Sequence, residues 1–210
     1  MKTKIISIHS PAAISSAKSI LKSGGIIAFP TDTVYGVAVP VFDEKSINKL
    51  YEAKKRPVDK AIPVLIGKTQ QLGLIASRIP PAALELMNLF WPGPLTLVIP
   101  KHPNLPPNLS TCQTIGVRMP NHPFILRLLN ETGPLATTSA NLTDMENPLS
   151  AEQVYDQLAG RIDLILDGGQ TPGSIPSSVV DLSEESPKIL REGTISSKAL
   201  LDIMISTGAK

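Results

Sequence analysis

Lys54 and Arg56 stand either side of a third cation, Lys55, and Pro57 cuts the run off. Ser139-Ala140-Asn141 spaces a hydroxyl and an amide in the same way. Two readings of the cationic cluster are open. Cations in the last turn of a helix are stabilised by its negative end by roughly 0.3–1 kcal/mol each. Alternatively, lysine as a point charge and arginine as a two-pronged donor converge on one phosphate chain. Ser139 and Asn141 either cap a turn or orient an amide on a ligand. Pro30-Thr31-Asp32-Thr33 gathers hydroxyls and a carboxylate directly after an apolar run, where sheets often bind ligands and where ordinary turns also form. Arg118 lies within Ile115-Gly116-Val117-Arg118-Met119, and Arg191 ends Lys188-Ile189-Leu190. A charge in a buried strand needs a partner, a ligand or water, so anion binding and structural pairing stand level for both arginines. None of these residues is a ready nucleophile. The chemistry on offer is positioning and charge neutralisation rather than covalent catalysis.

Several other chemistries lack their residues. Gly168-Gly169-Gln170-Thr171-Pro172-Gly173-Ser174 has a suggestive glycine spacing but no lysine, so a turn is preferred to a phosphate loop. No zinc-type Cys/His spacing occurs, and no metal ligands are assigned. His9, His102 and His122 read as surface-loop residues, and Trp91 as a core anchor.

The elements that must position these groups follow from periodicity. Residues 4–8, 26–29, 34–41, 62–66, 95–99, 115–119, 135–138, 164–166, 178–182 and 188–191 read as strands. Helices are expected from Ser10-Pro11 to Gly24, from the Asp43 cap to Arg56, over 80–90, from the Ser150-Ala151-Glu152-Gln153 capping box to Gly160, and over 196–205. Strands and helices mix without strict alternation, which predicts an α/β fold with a mixed sheet flanked by helices. The 210 residues suit one compact domain, 1–210, with a core over about 10–195. The 20 basic and 18 acidic residues give a net charge of only +2, which does not support a sequence-wide nucleic-acid surface. A single cysteine, Cys112, excludes an intrachain disulfide and favours a reducing compartment. With no evident signal peptide and no apolar run of membrane-spanning length, a soluble cytoplasmic protein is expected.

In order along the chain, eight stretches resemble one family. They are Phe29-Pro30-Thr31-Asp32-Thr33-Val34-Tyr35-Gly36, Lys54-x-Arg56-Pro57, Trp91-Pro92-Gly93-Pro94-Leu95-Thr96, Val117-Arg118-Met119-Pro120, Ser139-Ala140-Asn141-Leu142, Leu166-Asp167-Gly168-Gly169, Pro176-Ser177-Ser178-Val179-Val180-Asp181 and Ile189-Leu190-Arg191-x-Gly193. The chain resembles the YrdC-like threonylcarbamoyl-adenylate synthases of the short, single-domain TsaC type. The resemblance implies a twisted α/β domain with a concave basic site. It also implies that L-threonine, bicarbonate and ATP give threonylcarbamoyl-AMP and pyrophosphate, for the N6-threonylcarbamoyl group of tRNA adenosine 37. By motif, the catalytic tetrad falls on Lys54, Arg56, Ser139 and Asn141. The threonine pocket falls on Thr33, Tyr35, Arg118, Thr137 and Ser177, and the nucleotide contacts on Arg56, Lys60, Thr114, Ser139, Asn147 and Arg191. ATP is a substrate, with Mg2+ expected to accompany it. The implied partners are downstream tRNA threonylcarbamoyl-transfer proteins, with weak RNA binding and no membrane.

Lys60, Leu65, Thr138 and Asp144 depart from frequent family residues, which bears on details of substrate contact. Two rival readings are a carbamoyl-adenylate-forming domain and an RNA-binding or ribosome-associated module. Alanine at Lys54 or Arg56 is expected to leave the fold intact while reducing pyrophosphate release.

Overall fold

The computed structural model of the chain describes residues 2–173 and 175–206. Its elements run β1 (Lys4–Ser7), α1 (Ala13–Lys22), β2 (Ile27–Phe29), β3 (Gly36–Pro40), α2 (Glu44–Lys54), β4 (Val64–Leu65), α3 (Leu72–Ile75), α4 (Pro81–Phe90), β5 (Leu95–Pro100), β6 (Thr114–Arg118), α5 (Pro123–Thr132), β7 (Leu135–Ser139), α6 (Ala151–Leu158), β8 (Leu164–Asp167), β9 (Ser178–Asp181), β10 (Lys188–Arg191) and α7 (Ser197–Ser206). The strands form one sheet in the order β1-β8-β2-β3-β7-β4-β6-β5-β9-β10. Parallel pairs (β1 with β8, β2 with β8, β4 with β6, β5 with β9) are interspersed with antiparallel ones. The mixed sheet expected from the irregular order of elements is therefore present.

Side chains alternate across this sheet as a period of two requires. Ile27, Phe29, Leu65, Leu135, Leu164 and Leu166 face one core cluster with α1 and α5, whereas Ala28, Val64, Ala136 and Ile165 face the other. The second cluster is larger and takes its helical side chains from α2, α3, α4, α6 and α7. Both faces are thus covered, which explains why the central strands read as continuous apolar runs.

Several elements differ from expectation, among them the strands expected over 34–41 and 62–66, which span only Gly36–Pro40 and Val64–Leu65. Helix α1 begins at Ala13, not at Pro11: Ser10 and Pro11 form the preceding turn, in which the Ser10 carbonyl accepts from Ala13 N at 3.0 Å. Helix α5 was not anticipated. Pro123 sits in its first turn, where its missing N–H costs nothing, and Ile125, Leu128 and Leu129 form the buried face. The capping box at Ser150 is present in modified form. Ser150 Oγ accepts from Gln153 N at 3.3 Å, but Gln153 Oε1 reaches back one residue further, to Leu149 N at 2.7 Å.

Candidate functional site

Helix α2 ends in a way the sequence did not indicate. Lys55 adopts the left-handed conformation (φ 52°), its N–H bonds Glu52 O, and Arg56 N bonds Tyr51 O at 2.9 Å. This pair of bonds is a Schellman stop with a lysine in the place usually held by glycine. The reversal separates the three cations. Lys55 points to solvent, Arg56 is half-buried, and Lys54 is 1% exposed.

The Lys54 ammonium is surrounded by oxygen. It donates to the backbone carbonyl of Ser139, to Asn141 O at 2.6 Å and to Asn141 Oδ1 at 3.3 Å. Ser139 Oγ in turn bonds Asn141 Oδ1 at 2.5 Å, and Asn141 Nδ2 donates to Met145 O at 2.7 Å. Thr143 closes the ring from the other side, its N and Oγ1 both donating to Lys54 O at 3.0 and 3.1 Å. Burial, then the nearby Arg56 charge, pull the Lys54 pKa down from 10.5 to about 7. Lys54, Ser139 and Asn141 are therefore one buried hub, and Lys54 is structural as well as cationic. The expectation that alanine there leaves the fold intact is corrected: the substitution removes a donor shared by three acceptor atoms, of which Asn141 Oδ1 alone keeps a second donor, Ser139 Oγ.

Arg56 lies beside this hub, donating from Nε to Lys60 O at 3.0 Å and from Nη2 to Ala61 O at 2.8 Å. Burial lowers its pKa. At the rim, Lys60 Nζ is 4.0 Å from Asp144 Oδ1, and both side chains are largely exposed.

A second cluster forms where the β2–β3 loop meets the ends of β6 and β10. Arg118 is 8% exposed and donates to Gly93 O at 3.0 Å, Thr33 Oγ1 at 3.1 Å and Asp32 Oδ1 at 2.6 Å. Thr31 Oγ1 donates to Val34 O at 2.7 Å, so the 3.0 Å contact between the two threonine hydroxyls must be donated by Thr33. That leaves the Thr33 oxygen only accepting capacity for anything else. Arg191 Nε and Nη2 clamp Ser177 O at 3.0 and 2.8 Å, and Nη2 also reaches Ser177 Oγ at 3.2 Å. Ser177 Oγ and Thr96 Oγ1 lie 2.8 Å apart. Partial burial, and then the Arg118 charge, lower the Arg191 pKa. The two guanidiniums therefore feel each other, and no carboxylate pairs with Arg191 among the described residues. The backbone here is packed closely: a Cβ on Gly193 would collide with the backbone of Pro176, Ser177 and Ser178.

The two clusters are joined through the sheet. Gly36 pairs with Ser139 across β3 and β7, and Ala140 N donates to Tyr35 O at 2.8 Å. Tyr35 itself is fully buried. Its hydroxyl donates to Gly169 O at 2.7 Å and accepts from Gly168 N at 3.2 Å, and burial raises its pKa. It thus fastens the turn at Gly168-Gly169. Thr137 is buried, with its hydroxyl on Leu135 O at 3.1 Å. Thr114, at the start of β6, and exposed Asn147 make no side-chain hydrogen bond to either cluster.

Four residues not assigned from the sequence now matter. Thr31, Asp32 and Thr96 lie inside the family-like stretches with no role implied by the resemblance, and the surface position expected of His122 does not hold. His122 is instead half-buried, with its Nδ1 enclosed and unpartnered. Burial lowers its pKa, against the opposing pull of Asp32. Trp91 is the core anchor expected, its Nε1 donating to Leu95 O at 2.7 Å.

Two cationic clusters, linked by the short Asp32–Tyr35 stretch that bonds Arg118 at one end and Ala140 N at the other, suit an anionic ligand and a small polar one. A family model named for Sua5, YciO and YrdC, and described as telomere recombination, matches residues 19–193. The chain belongs to the Sua5/YciO/YrdC family. It is 40% identical over 182 residues to the threonylcarbamoyl-AMP synthase of Pyrococcus abyssi, covering 86% of this chain and 54% of that protein. It is 33% identical to the threonylcarbamoyl-AMP synthase of Vibrio campbellii, covering 82% of this chain and 95% of that one. The crystal structure of P. abyssi Sua5 complexed with L-threonine superposes with a TM-score of 0.91 at 35% identity, covering 97% of this chain and 61% of that one. The chain therefore spans little more than half of the archaeal family member and nearly all of the Vibrio one.

Proposed function

We propose that the chain is an L-threonylcarbamoyladenylate synthase, a nucleotidyltransferase that converts L-threonine, bicarbonate and ATP into threonylcarbamoyl-AMP, pyrophosphate and water. The observation that carries this reading is the linkage of an Arg118/Arg191 cluster to the Lys54–Arg56 hub through the short Asp32–Tyr35 stretch of the β2–β3 loop. The names of the similar synthases, and the L-threonine bound to P. abyssi Sua5, support it.

The chemistry asks for such a site. The amine of threonine must first carry carbon dioxide, and the resulting N-carboxylate must approach the α-phosphorus of a polyanion. Two unit charges 4 Å apart repel by about 4 kcal/mol at an effective dielectric of about 20. Arg118 has five N–H donors, of which three are committed, so one on each terminal nitrogen remains for the amino-acid carboxylate. Thr33 accepts from the substrate, and Ser177, oriented by Arg191 and Thr96, meets its polar groups. Arg56 and the charge of Lys54 neutralise the triphosphate as pyrophosphate leaves, with Ser139 and Asn141 held in place by the Lys54 hub. Arg191 and Lys60 extend the nucleotide side, with Thr114 and Asn147 at its periphery; Tyr35 and Thr137 shape the threonine side from within. No group of three or more His, Cys, Asp or Glu side chains able to hold a metal exists among the described residues. Mg2+ would therefore travel with the ATP phosphates.

The same proposal takes the product to be consumed in tRNA N6-threonylcarbamoyladenosine synthesis by downstream transfer proteins, in the cytoplasm, with weak RNA contact at most. No helix among the described residues is long and apolar enough to cross a membrane. Pyrophosphate release that requires both threonine and bicarbonate is the expected result, and Arg56→Ala should reduce it sharply. Release indifferent to either substrate, or near-normal turnover of Arg56→Ala, would refute the assignment.

A further inference from the structure

Resting on the amino-acid site just proposed, we infer that Asp32 is the residue that selects an amine in the substrate, receiving its ammonium while Arg118 receives its carboxylate. Asp32 is the only carboxylate among the described residues to pair with a cation of this cluster, and only its Oδ1 is used, by Arg118 Nη2 at 2.6 Å. Its Oδ2 has no hydrogen-bond partner among the described residues, yet it is not sealed from solvent. The side chain is 13% exposed, enough for a ligand to reach one oxygen.

The charge pattern is what identifies the ligand class. A site for a simple carboxylate gains nothing from an aspartate that neutralises its best arginine. A site for an α-amino acid does, because the ligand carries opposite charges separated by one carbon. Arg118 and Asp32 present the complementary opposite charges in direct contact. Thr33 fits the same pattern, since its hydroxyl hydrogen is already spent on Thr31 and its oxygen can only accept. The groups around Asp32 are Arg118 from β6, Arg191 beyond it from β10, and the half-buried imidazole of His122 at the start of α5, whose pKa burial lowers. None of the other groups can hold a cation.

The arrangement also gives the amine a direction of travel. Carboxylation follows R–NH3+ + HCO3− → R–NH–CO2− + H2O + H+, with the proton released to solvent. A new C–N bond forms, and the nitrogen changes from the positive end of the ligand to part of an anion. Contact with Asp32 then becomes like-charge repulsion, and the N-carboxylate is driven toward Arg56 and Lys54, where the nucleotide is held.

The test compares L-threonine with its 2-hydroxy counterpart, 2,3-dihydroxybutanoate, by calorimetric titration in the presence of a non-hydrolysable ATP analogue. Wild-type protein should prefer threonine by about tenfold or more. Asp32→Asn should lose that preference through weaker threonine binding, with the hydroxy acid bound within about threefold of wild type. Asp32→Glu, which keeps the carboxylate, should retain the preference and guards against an Asp32→Asn protein that fails to fold. If Asp32→Asn retains the preference, or weakens both ligands equally, Asp32 acts only through Arg118 and the inference is overturned. If wild-type protein binds neither ligand and releases no pyrophosphate with threonine, the underlying reading of the site falls first. That result is distinct from a threonine-dependent enzyme with unaltered selectivity.

Discussion

Replacing Lys54 with methionine tests the buried hub most directly, because the stem is preserved and only the charge and the donors go. Ser139 O, Asn141 O and Asn141 Oδ1 would lose their shared donor in a site where Lys54 is 1% exposed. A stranded buried acceptor costs about 1–3 kcal/mol, and the losses at Ser139 O and Asn141 O, with Asn141 Oδ1 keeping Ser139 Oγ, do not simply add. The expected loss at pH 8.5 is therefore about 3–5 kcal/mol. The loss should also depend on pH. In the unfolded chain Lys54 keeps its proton up to its ordinary pKa of 10.5, whereas in the folded protein it releases it near 7. Between those values the unfolded state binds more protons, so the contribution of the group to stability is full above 10.5 and is lost as pH falls toward 7. Between pH 6 and 8.5 the gain amounts to about 2 kcal/mol for the wild type and is absent from the variant. Urea unfolding followed by the fluorescence of buried Trp91, the only tryptophan, measures both proteins at both pH values. A difference below about 1 kcal/mol, or one that does not change with pH, would show that Lys54 is not the buried, oxygen-bound group described here.

Other perturbations probe single features. Lys55→Gly should raise stability by about 0.5–1 kcal/mol by relieving the left-handed residue, net of the freer unfolded chain; an unchanged or lower urea midpoint would reject the Schellman stop. Tyr35→Phe should cost about 1–2 kcal/mol and speed amide exchange at Gly168, whereas protection equal to wild type would mean the hydroxyl does not fasten that turn. His122 should titrate below 6.5 in a proton NMR titration, and Asp32→Asn should lower its midpoint further by removing the one nearby negative charge; an upward shift would place the two groups apart.

The sheet was legible because its strands are short apolar runs between turn residues, and the mixed topology followed from their uneven spacing with helices. Helix α5 was not, because Pro123 and the preceding His122 read as loop, and the ten-residue amphipathic face behind them starts inside that loop. Within the site, the residue types were legible and their partners were not. Lys54 meets Ser139 and Asn141 across 85 and 87 residues of chain, a meeting produced by packing α2 against the end of β7. Nothing local marks Lys54 as interior and Lys55 as exterior; the left-handed turn at Lys55 makes that distinction. Asp32 went unassigned for a similar reason, since its partner Arg118 lies on β6, 86 residues away.

The shortest strand of the sheet, β4, is two residues long and lies between β7 and β6. Val64 pairs with Ala136 and Val117, and Leu65 with Leu135 and Arg118. The Lys54 hub hangs on β7 and the arginine pair on β6 and β10, so this short seam acts as the gauge between the two halves of the site. A bend of the sheet at Val64–Leu65 would alter the gap an amine must cross to reach a phosphate, and it would be resisted by the bonds of Arg118 to Asp32 and Thr33, which span the seam from β6 to the β2–β3 loop.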